Sequence, residues 1–325
     1  MNRLIPLIYN ELIKTYIRKS TWVMYGILAL IIIGAGILFN FYGSEEYDYS
    51  DDNWRQELKD ENESVMQDQG DPTENGDENV NVDAEFSMVD VGKNNYYLEH
   101  DIKPNPFDAW EFMHVNVGML SIISLFTIIV AAGIVAHEFR WGTIKLLLIR
   151  PISRSTILLS KYISVLLFAL FTLIFGAIMF LIVGGIFYGF SSFDPYIVIN
   201  QGDGYAYVSQ IGEILADYGY QVVNLVMMAT FAFMISSIFR NSAMAIGVAI
   251  FLMFTGNSIV GIFANYDWAK YILFANTDLS QYANDATPWI EGMTIGFSIM
   301  MLIIYYVVFM VLSWIFFTKR DVAGQ

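Results

Sequence analysis

Apolar positions are concentrated in six long runs without Asp, Glu, Lys or Arg: 22–42, 113–136, 162–188, 218–239, 243–264 and 294–317. The shortest has 21 residues and the longest 27. A helix rises about 1.5 Å per residue and a bilayer core is about 30 Å thick, so about 20 residues cross it. Each run is long enough. A core helix of a water-soluble protein keeps charge on its wet side, whereas these runs are free of charge around their whole circumference. The pattern predicts an all-α polytopic membrane protein, with six transmembrane helices forming one transmembrane domain over 1–325.

The stretches between the runs have patterns of their own. Ahead of the first run, Leu4, Ile8, Leu12 and Tyr16 recur at i, i+4, while Asn10, Glu11, Lys14 and Arg18 gather opposite them. Pro6 falls in the first turn, where a missing N–H costs little. This predicts an N-terminal interfacial helix lying on the inner leaflet. The plainer reading is a basic flank of the first span.

Residues 43–112 form an acidic insertion with 21 Asp and Glu against 4 Lys and Arg. Trp54, Leu58, Val65 and Met66 have near-helical spacing and predict one short helix, and 69–83 reads as loop. Asp71, Thr73, Asn75, Gly76 and Asp77 open like a calcium loop, but the twelfth position is Val82 rather than Glu. A solvated acidic loop is the favoured reading. Residues 189–217 and 265–293 are predicted to carry lateral helices at the outer surface, the latter with interfacial aromatics such as Trp268 and Trp289. Between the second and third runs, Ile144, Leu147 and Leu148 have helical spacing between charged ends, and Pro151 interrupts. Ser153, Arg154 and Ser155 then start a helix that runs into the third span. The segment reads as a short protruding helix or as a plain basic loop.

Charge sets the orientation. The chain of 325 residues has a net charge of −15, yet 56% of its residues are hydrophobic and 15% are charged. With the N-terminus inside, 57 cytoplasmic residues hold 12 Lys and Arg, and 128 external residues hold 5. The positive-inside rule then places both termini in the cytoplasm. The first run is too long for a signal peptide, and no small-residue cleavage site follows it, so it reads as a retained span. The absence of cysteine excludes a disulfide framework, a thiol nucleophile and Cys-based metal sites. The acidic balance argues against nucleic acid as a partner.

Candidate chemistry is sparse, and no catalytic, cofactor-binding or metal-ligating residue is assigned. His137 and Glu138 begin like a metalloprotease helix but lack the second His, and no phosphate-cradling G-x-x-x-x-G-K-[ST] loop occurs. The uncharged polar residues Ser124, Thr127, Asn224 and Asn257 lie inside the runs, as packing contacts or as the lining of a substrate path. Thr255, Gly256, Asn257 and Ser258 together predict a break in the fifth span toward its outer end.

The pattern E-x-x-x-G-T-I-x-x-L-L-x-x-P-I-S-R-x-x-x-L-L-x-K, starting at Glu138 and ending at Lys161, resembles the cytoplasmic loop of the type-2 ABC exporter permeases. Asn10 to Lys14, with Arg18 and Lys19, is similar to that family's N-terminal helix. Trp268 to Tyr271, followed by Phe274 to Asn276, is similar to its segment after the fifth span. The large acidic insertion departs from its shortest members.

The resemblance implies a permease subunit in the bacterial plasma membrane that is not itself an enzyme. ATP with Mg would be bound by a separate cytosolic ABC ATPase subunit. A second permease, identical or related, would complete the channel. A coupling helix between Glu138 and Arg154 would take the push of the ATPase, with Glu138, Gly142, Thr143, Lys145, Pro151 and Arg154 as its residues. Cargo would move outward, with peptide antibiotics and other amphipathic molecules as the expected classes. The alternative is a non-transport sensor or scaffold that binds an external ligand through its acidic loop.

Overall fold

The chain begins with two helices that meet at Arg18: α1 (Leu4–Ile17) and α2 (Lys19–Tyr42). The turn between them is held by Thr21 Oγ1 donating to Thr15 O at 2.6 Å and Trp22 Nε1 donating to Tyr16 O at 2.9 Å. α1 therefore leaves the first span at a fixed angle. The computed structural model describes residues 4–42, 53–68, 82–140, 152–201, 204–239, 241–285 and 288–319.

After the first span come α3 (Trp54–Asp68) and α4 (Val82–Glu99), then the short α5 (Ala109–Val115). Asp108 caps α5, its carboxylate accepting from the amides of Trp110 and Glu111 at 2.9 and 3.1 Å. A single 3₁₀ turn, Val117–Leu120, leads into α6 (Ser121–Arg140). The remaining long helices are α7 (Arg154–Phe187), α8 (Gln210–Ile238), α9 (Ser242–Phe263) and, after the five-residue α10 (Leu273–Thr277), α11 (Ile295–Lys319). Six helices are long and apolar enough to cross a bilayer: α2, α6 with its 3₁₀ lead, α7, α8, α9 and α11. Each of the six charge-free runs thus overlaps a membrane-length helix, although the second begins in α5 and its span starts only at Val117.

α6 and α8 form the centre, each with 67% of its membrane-length window buried. Ala131, Ala132 and Ala136 of α6 and Ala229 and Ala232 of α8 are fully buried and let the two backbones approach. Ser236 Oγ accepts from the amides of Val135 and Ala136 at 3.1 Å each. The first, fifth and sixth spans are peripheral, with 22%, 17% and 17% buried. Their exposed side chains include Leu30, Phe251, Ile303 and Val307. A single-chain soluble protein rarely shows so continuous an apolar surface. The molecule is a multi-pass membrane protein.

Three expectations are corrected. Residues 189–217 hold an antiparallel hairpin instead of a lateral helix: β1 (Tyr196–Asn200) pairs with β2 (Tyr205–Ser209) from Tyr196↔Ser209 to Asn200↔Tyr205. Both strands are rich in β-branched and aromatic residues, which suit a pleated surface better than a helix. The fifth span is unbroken through Thr255–Ser258. Thr255 Oγ1 folds back onto Phe251 O at 2.7 Å, and Gly256 leaves room for the Phe274 ring, which a Cβ there would meet at 2.4 Å. Finally, α1 is turned so that Glu11, expected on its wet side, is buried, while Ile5, Tyr9, Ile13 and Ile17 form the exposed stripe. Leu4, Ile8, Leu12 and Tyr16 are half-buried against the bundle.

The short helix expected in the acidic insertion is α3. It packs with α4 and the hairpin around Trp54, Leu58, Tyr97 and Val198, all nearly fully buried. The Val198 amide donates to Tyr97 Oη at 3.2 Å, and burial pushes the Tyr97 phenol up to about 12. Asn62 joins the two helices, donating to Asn95 Oδ1 and accepting from Asn94 Nδ2, both at 3.0 Å. Residues 71 to 77 of the calcium-like motif lie outside the described residues.

Candidate functional site

At the face of the bundle that carries α1 and the end of α11, four charged side chains meet. Lys161 lies two turns into α7 and is completely buried. Its Nζ donates to Glu11 Oε2 of α1 at 2.7 Å and to Glu138 Oε1 at the end of α6 at 2.9 Å. Lys14, one turn beyond Glu11 on α1, reaches the same two carboxylates at 2.8 and 3.3 Å. Glu11 and Glu138 are themselves 6% and 8% exposed. Two lysines against two glutamates make the cluster neutral, the condition under which charge tolerates burial. Burial pulls the Lys14 ammonium down, but its hydrogen bonds and charge contacts with Glu11 and Glu138 outweigh that, and its pKa is raised.

The geometry follows from the helices that supply it. α7 has 34 residues, about 51 Å at helical rise, so it runs well past a 30 Å bilayer core. Its extension carries Lys161. α6 ends close beside it, and α1 lies across both. Ser164 Oγ donates to Ile8 O at 3.2 Å, and Arg18 Nη1 lies 3.4 Å from His137 Nδ1. Tyr16 and Tyr25 share a hydroxyl contact of 3.1 Å, and Tyr25 continues to Thr172 Oγ1 at 3.0 Å. α1 is therefore fastened to the helix that enters the 141–153 segment and to the helix that leaves it.

The start of α7 is also tied to the last span. Ser153 caps it, accepting from the Thr156 amide at 3.1 Å. Arg154 Nη1 donates to Thr318 O at 2.8 Å, and Trp314 Nε1 donates to Ser155 Oγ at 2.9 Å. Of the residues expected to couple, Glu138 and Arg154 thus hold the two ends of the segment. Gly142, Thr143, Lys145 and Pro151 lie outside the described residues. Lys161, Glu11 and Lys14 were not singled out for the site from sequence, although all three stand within the matching motifs. The available signal was charge of opposite sign just outside adjoining apolar runs.

The structure separates the four polar candidates of the spans. Ser124 Oγ accepts from Gln221 Nε2 of α8 at 3.2 Å. Thr127, one turn deeper on α6, is 1% exposed and its hydroxyl has no partner among the described residues. Asn224, one turn below Gln221 on α8, is half-buried. Toward the hairpin end the α5–α8 contact continues with Gln210 donating to Glu111 and with His114 Nε2 3.5 Å from Asp217 Oδ2. Ser124, Thr127 and Asn224 thus belong to helices packed side by side at the centre. Asn257 does not: it stands on the exposed face of α9.

The family described as "Protein of unknown function (DUF2705)" matches residues 81–323, and the chain belongs to it. The chain is 40% identical to "Uncharacterized protein YhcI" of Bacillus subtilis (strain 168), over 99% of this chain and 100% of that protein. It is 35% identical to "Uncharacterized membrane protein YdbK" of the same organism, over 62% of this chain and 78% of that protein.

Proposed function

We propose that this chain is the permease subunit of an ATP-driven exporter, resembling the type-2 ABC permeases, with both termini on the cytoplasmic side of a bacterial plasma membrane. A separate ABC ATPase subunit binds ATP and Mg, and this chain catalyses nothing itself. The 141–153 segment takes the push of that ATPase. The observation that carries the reading is the Lys161–Glu11–Glu138–Lys14 cluster. It ties together the helix before the segment, the helix after it and α1. A displacement of the segment would therefore move α6, α7 and α1 as one body. Because α6 is packed along α8 at the centre, the tilt would reach the polar seam at Ser124, Thr127 and Asn224. ATP acts by favouring one of two arrangements, so it must bind them with different affinity. Amphipathic molecules such as peptide antibiotics are the proposed cargo.

The test is purification in mild detergent, with the co-purifying ATPase assayed in lipid. Deletion of 142–153 is expected to abolish ATPase docking and stimulated hydrolysis while membrane insertion stays intact. Normal docking and response after the deletion would overturn the reading. A sensor or scaffold is the second reading, favoured by the α3–α4–hairpin unit, which has a core of its own. Saturable ligand binding to the full chain in proteoliposomes, without cargo movement when the ATPase is present, would support it instead.

A further inference from the structure

We propose that the half of the α6–α8 seam nearer the hairpin is a water-filled inlet within one chain, entered between α5 and α8 and closed at its floor by alanine packing. This rests on the reading above only in giving the polar seam an occupant, and the observations behind it stand without any transport activity. Thr127 is 1% exposed, and its hydroxyl has no hydrogen-bond partner among the described residues. Other buried hydroxyls of the spans fold back onto the carbonyl four residues earlier: Thr172 onto Phe168, Thr230 onto Val226, Ser237 onto Phe233 and Ser313 onto Phe309, at 2.6–3.1 Å. Thr127 makes no such bond, although it stands on the face of α6 that meets α8. It lies ten residues in from Val117, about 15 Å along the helix and at mid-depth of a core about 30 Å thick. A hydroxyl buried there without a partner keeps its full desolvation cost.

The register of the two helices shows what lies around it. Ser124 meets Gln221, and further along Val135 and Ala136 meet Ser236, so α6 and α8 run side by side in the same direction. Three residues inward from the first contact stand Thr127 and Asn224, level with each other. In the other direction Asp217 lies one turn above Gln221, 3.5 Å from His114 Nε2 of α5, and these two side chains are 23% and 26% exposed. Asp217, Gln221 and Asn224 on α8, facing Ser124 and Thr127 on α6, thus make a continuous polar strip from the surface to mid-depth. Beyond it the seam changes character. Ala131, Ala132, Ala229 and Ala232 are fully buried, and Ser236 Oγ is engaged by two amides. That part is tightly packed and dry, so water entering at His114 and Asp217 stops at Ala131.

Water is the occupant this strip fits. A buried water makes about three hydrogen bonds to groups otherwise unsatisfied. The Thr127 hydroxyl, Ser124 Oγ and the Asn224 carboxamide together supply donors and acceptors over one turn of the seam. No Asp, Glu, Lys or Arg stands in 218–238 of α8 or in 121–137 of α6, so the strip offers no charge to hold an ion. The Tyr218 hydroxyl, the other buried side-chain polar atom without a partner among the described residues, lies on the turn of α8 between Asp217 and Gln221. Both unpartnered hydroxyls therefore belong to this same stretch of the bundle.

The chain contains no cysteine, so single-cysteine variants report without a background. Gln221→Cys and Asn224→Cys are tested in native membranes with a small membrane-impermeant thiol reagent, added on the side that labels Ser64→Cys on the exposed face of α3. Both are expected to react at least about tenfold faster than Ile303→Cys on the exposed apolar face of α11, because a thiol ionises in water and not in lipid. Ala131→Cys, at the floor, is expected to be as slow as Ile303→Cys. As a second measurement, Thr127→Val keeps the side-chain shape and removes the hydroxyl. With water bound there, the variant is expected to lower the unfolding temperature of the full chain in detergent, whereas loss of a hydroxyl that bonds to nothing would raise it. Rates at 221 and 224 no faster than at 303, reaction only from the opposite side, or a raised unfolding temperature for Thr127→Val would overturn the proposal. Labelling at 221 and 224 in a chain that recruits no ATPase would leave the inlet standing and remove the transport reading.

Discussion

At Lys161 the protein buries a full positive charge against two carboxylates contributed by different helices. Removing the ammonium leaves Glu11 and Glu138 facing each other with Lys14 alone to balance them. Unpairing a buried ion typically costs about 3–5 kcal/mol, whereas replacing the whole pair by apolar or neutral groups is often close to neutral. Lys161→Met is therefore expected to lower the thermal stability of the full chain in detergent sharply. Adding Glu11→Gln, which takes away the matching negative charge, is expected to restore most of it, and Trp fluorescence during heating would measure both. If the double variant is as unstable as the single one, the cluster is not balanced as its geometry indicates.

Lys14 gives the pH signature of the same cluster. Its pKa is raised, so its contribution is fully present below the ordinary lysine value of 10.5 and disappears as pH climbs through the folded value. The stability difference between the wild type and Lys14→Met is expected to stay flat from about pH 6 to 9 and to shrink only above about 10.5. A difference that instead changed near neutral pH would mean that some other group controls the site.

Among the elements, the spans were legible because crossing a bilayer demands length and freedom from charge, and both can be counted along the chain. Where the helices begin was legible in one case: Ser153 and Arg154 marked the start of α7, eight residues before its charge-free run. The start of α8 at Gln210, also eight residues before its run, was not, because the helix ladder continues into water as readily as it crosses lipid. The hairpin was missed for a different reason. Tyr196–Asn200 and Tyr205–Ser209 are short, and their docking against α3 and α4 through Val198, Trp54 and Tyr97 is a long-range fact. The rotation of α1 was missed because the value of burying Glu11 depends on Lys161, 150 residues away.

Close approaches between elements are equally invisible before folding. α7 passes α5 at Gly184, where a Cβ would stand 2.9 Å from the Ala109 Cα. Backbone cannot step aside as a side-chain tip can. Gly184→Leu is expected to cost about 1–3 kcal/mol through overpacking and to loosen α5 from the bundle. Thermal unfolding would read the first effect, and faster amide exchange in 109–115 the second. An unchanged exchange rate would show that α5 is held elsewhere, by Asp108 with Ser191.

For the whole molecule, the net charge of −15 is a difference between two surfaces. In the proposed orientation the cytoplasmic stretches sum to +9 and the external ones to −24, of which the insertion after the first span carries −17. A basic surface favours the side with anionic headgroups and the inside-negative potential, and the acidic insertion would be repelled from it. Orientation is therefore an electrostatic prediction that the fold alone does not decide, since the same six helices would pack identically if inverted. Single cysteines settle it. Ser64→Cys, exposed on α3, is expected to react with a membrane-impermeant thiol reagent in intact cells. Lys319→Cys, exposed at the end of α11, is expected to react only after permeabilisation. The reverse pattern would put the 141–153 segment outside, beyond the reach of any cytosolic ATPase. The permease reading would then fail, although the buried charge cluster and the packing of α6 on α8 would be unaffected.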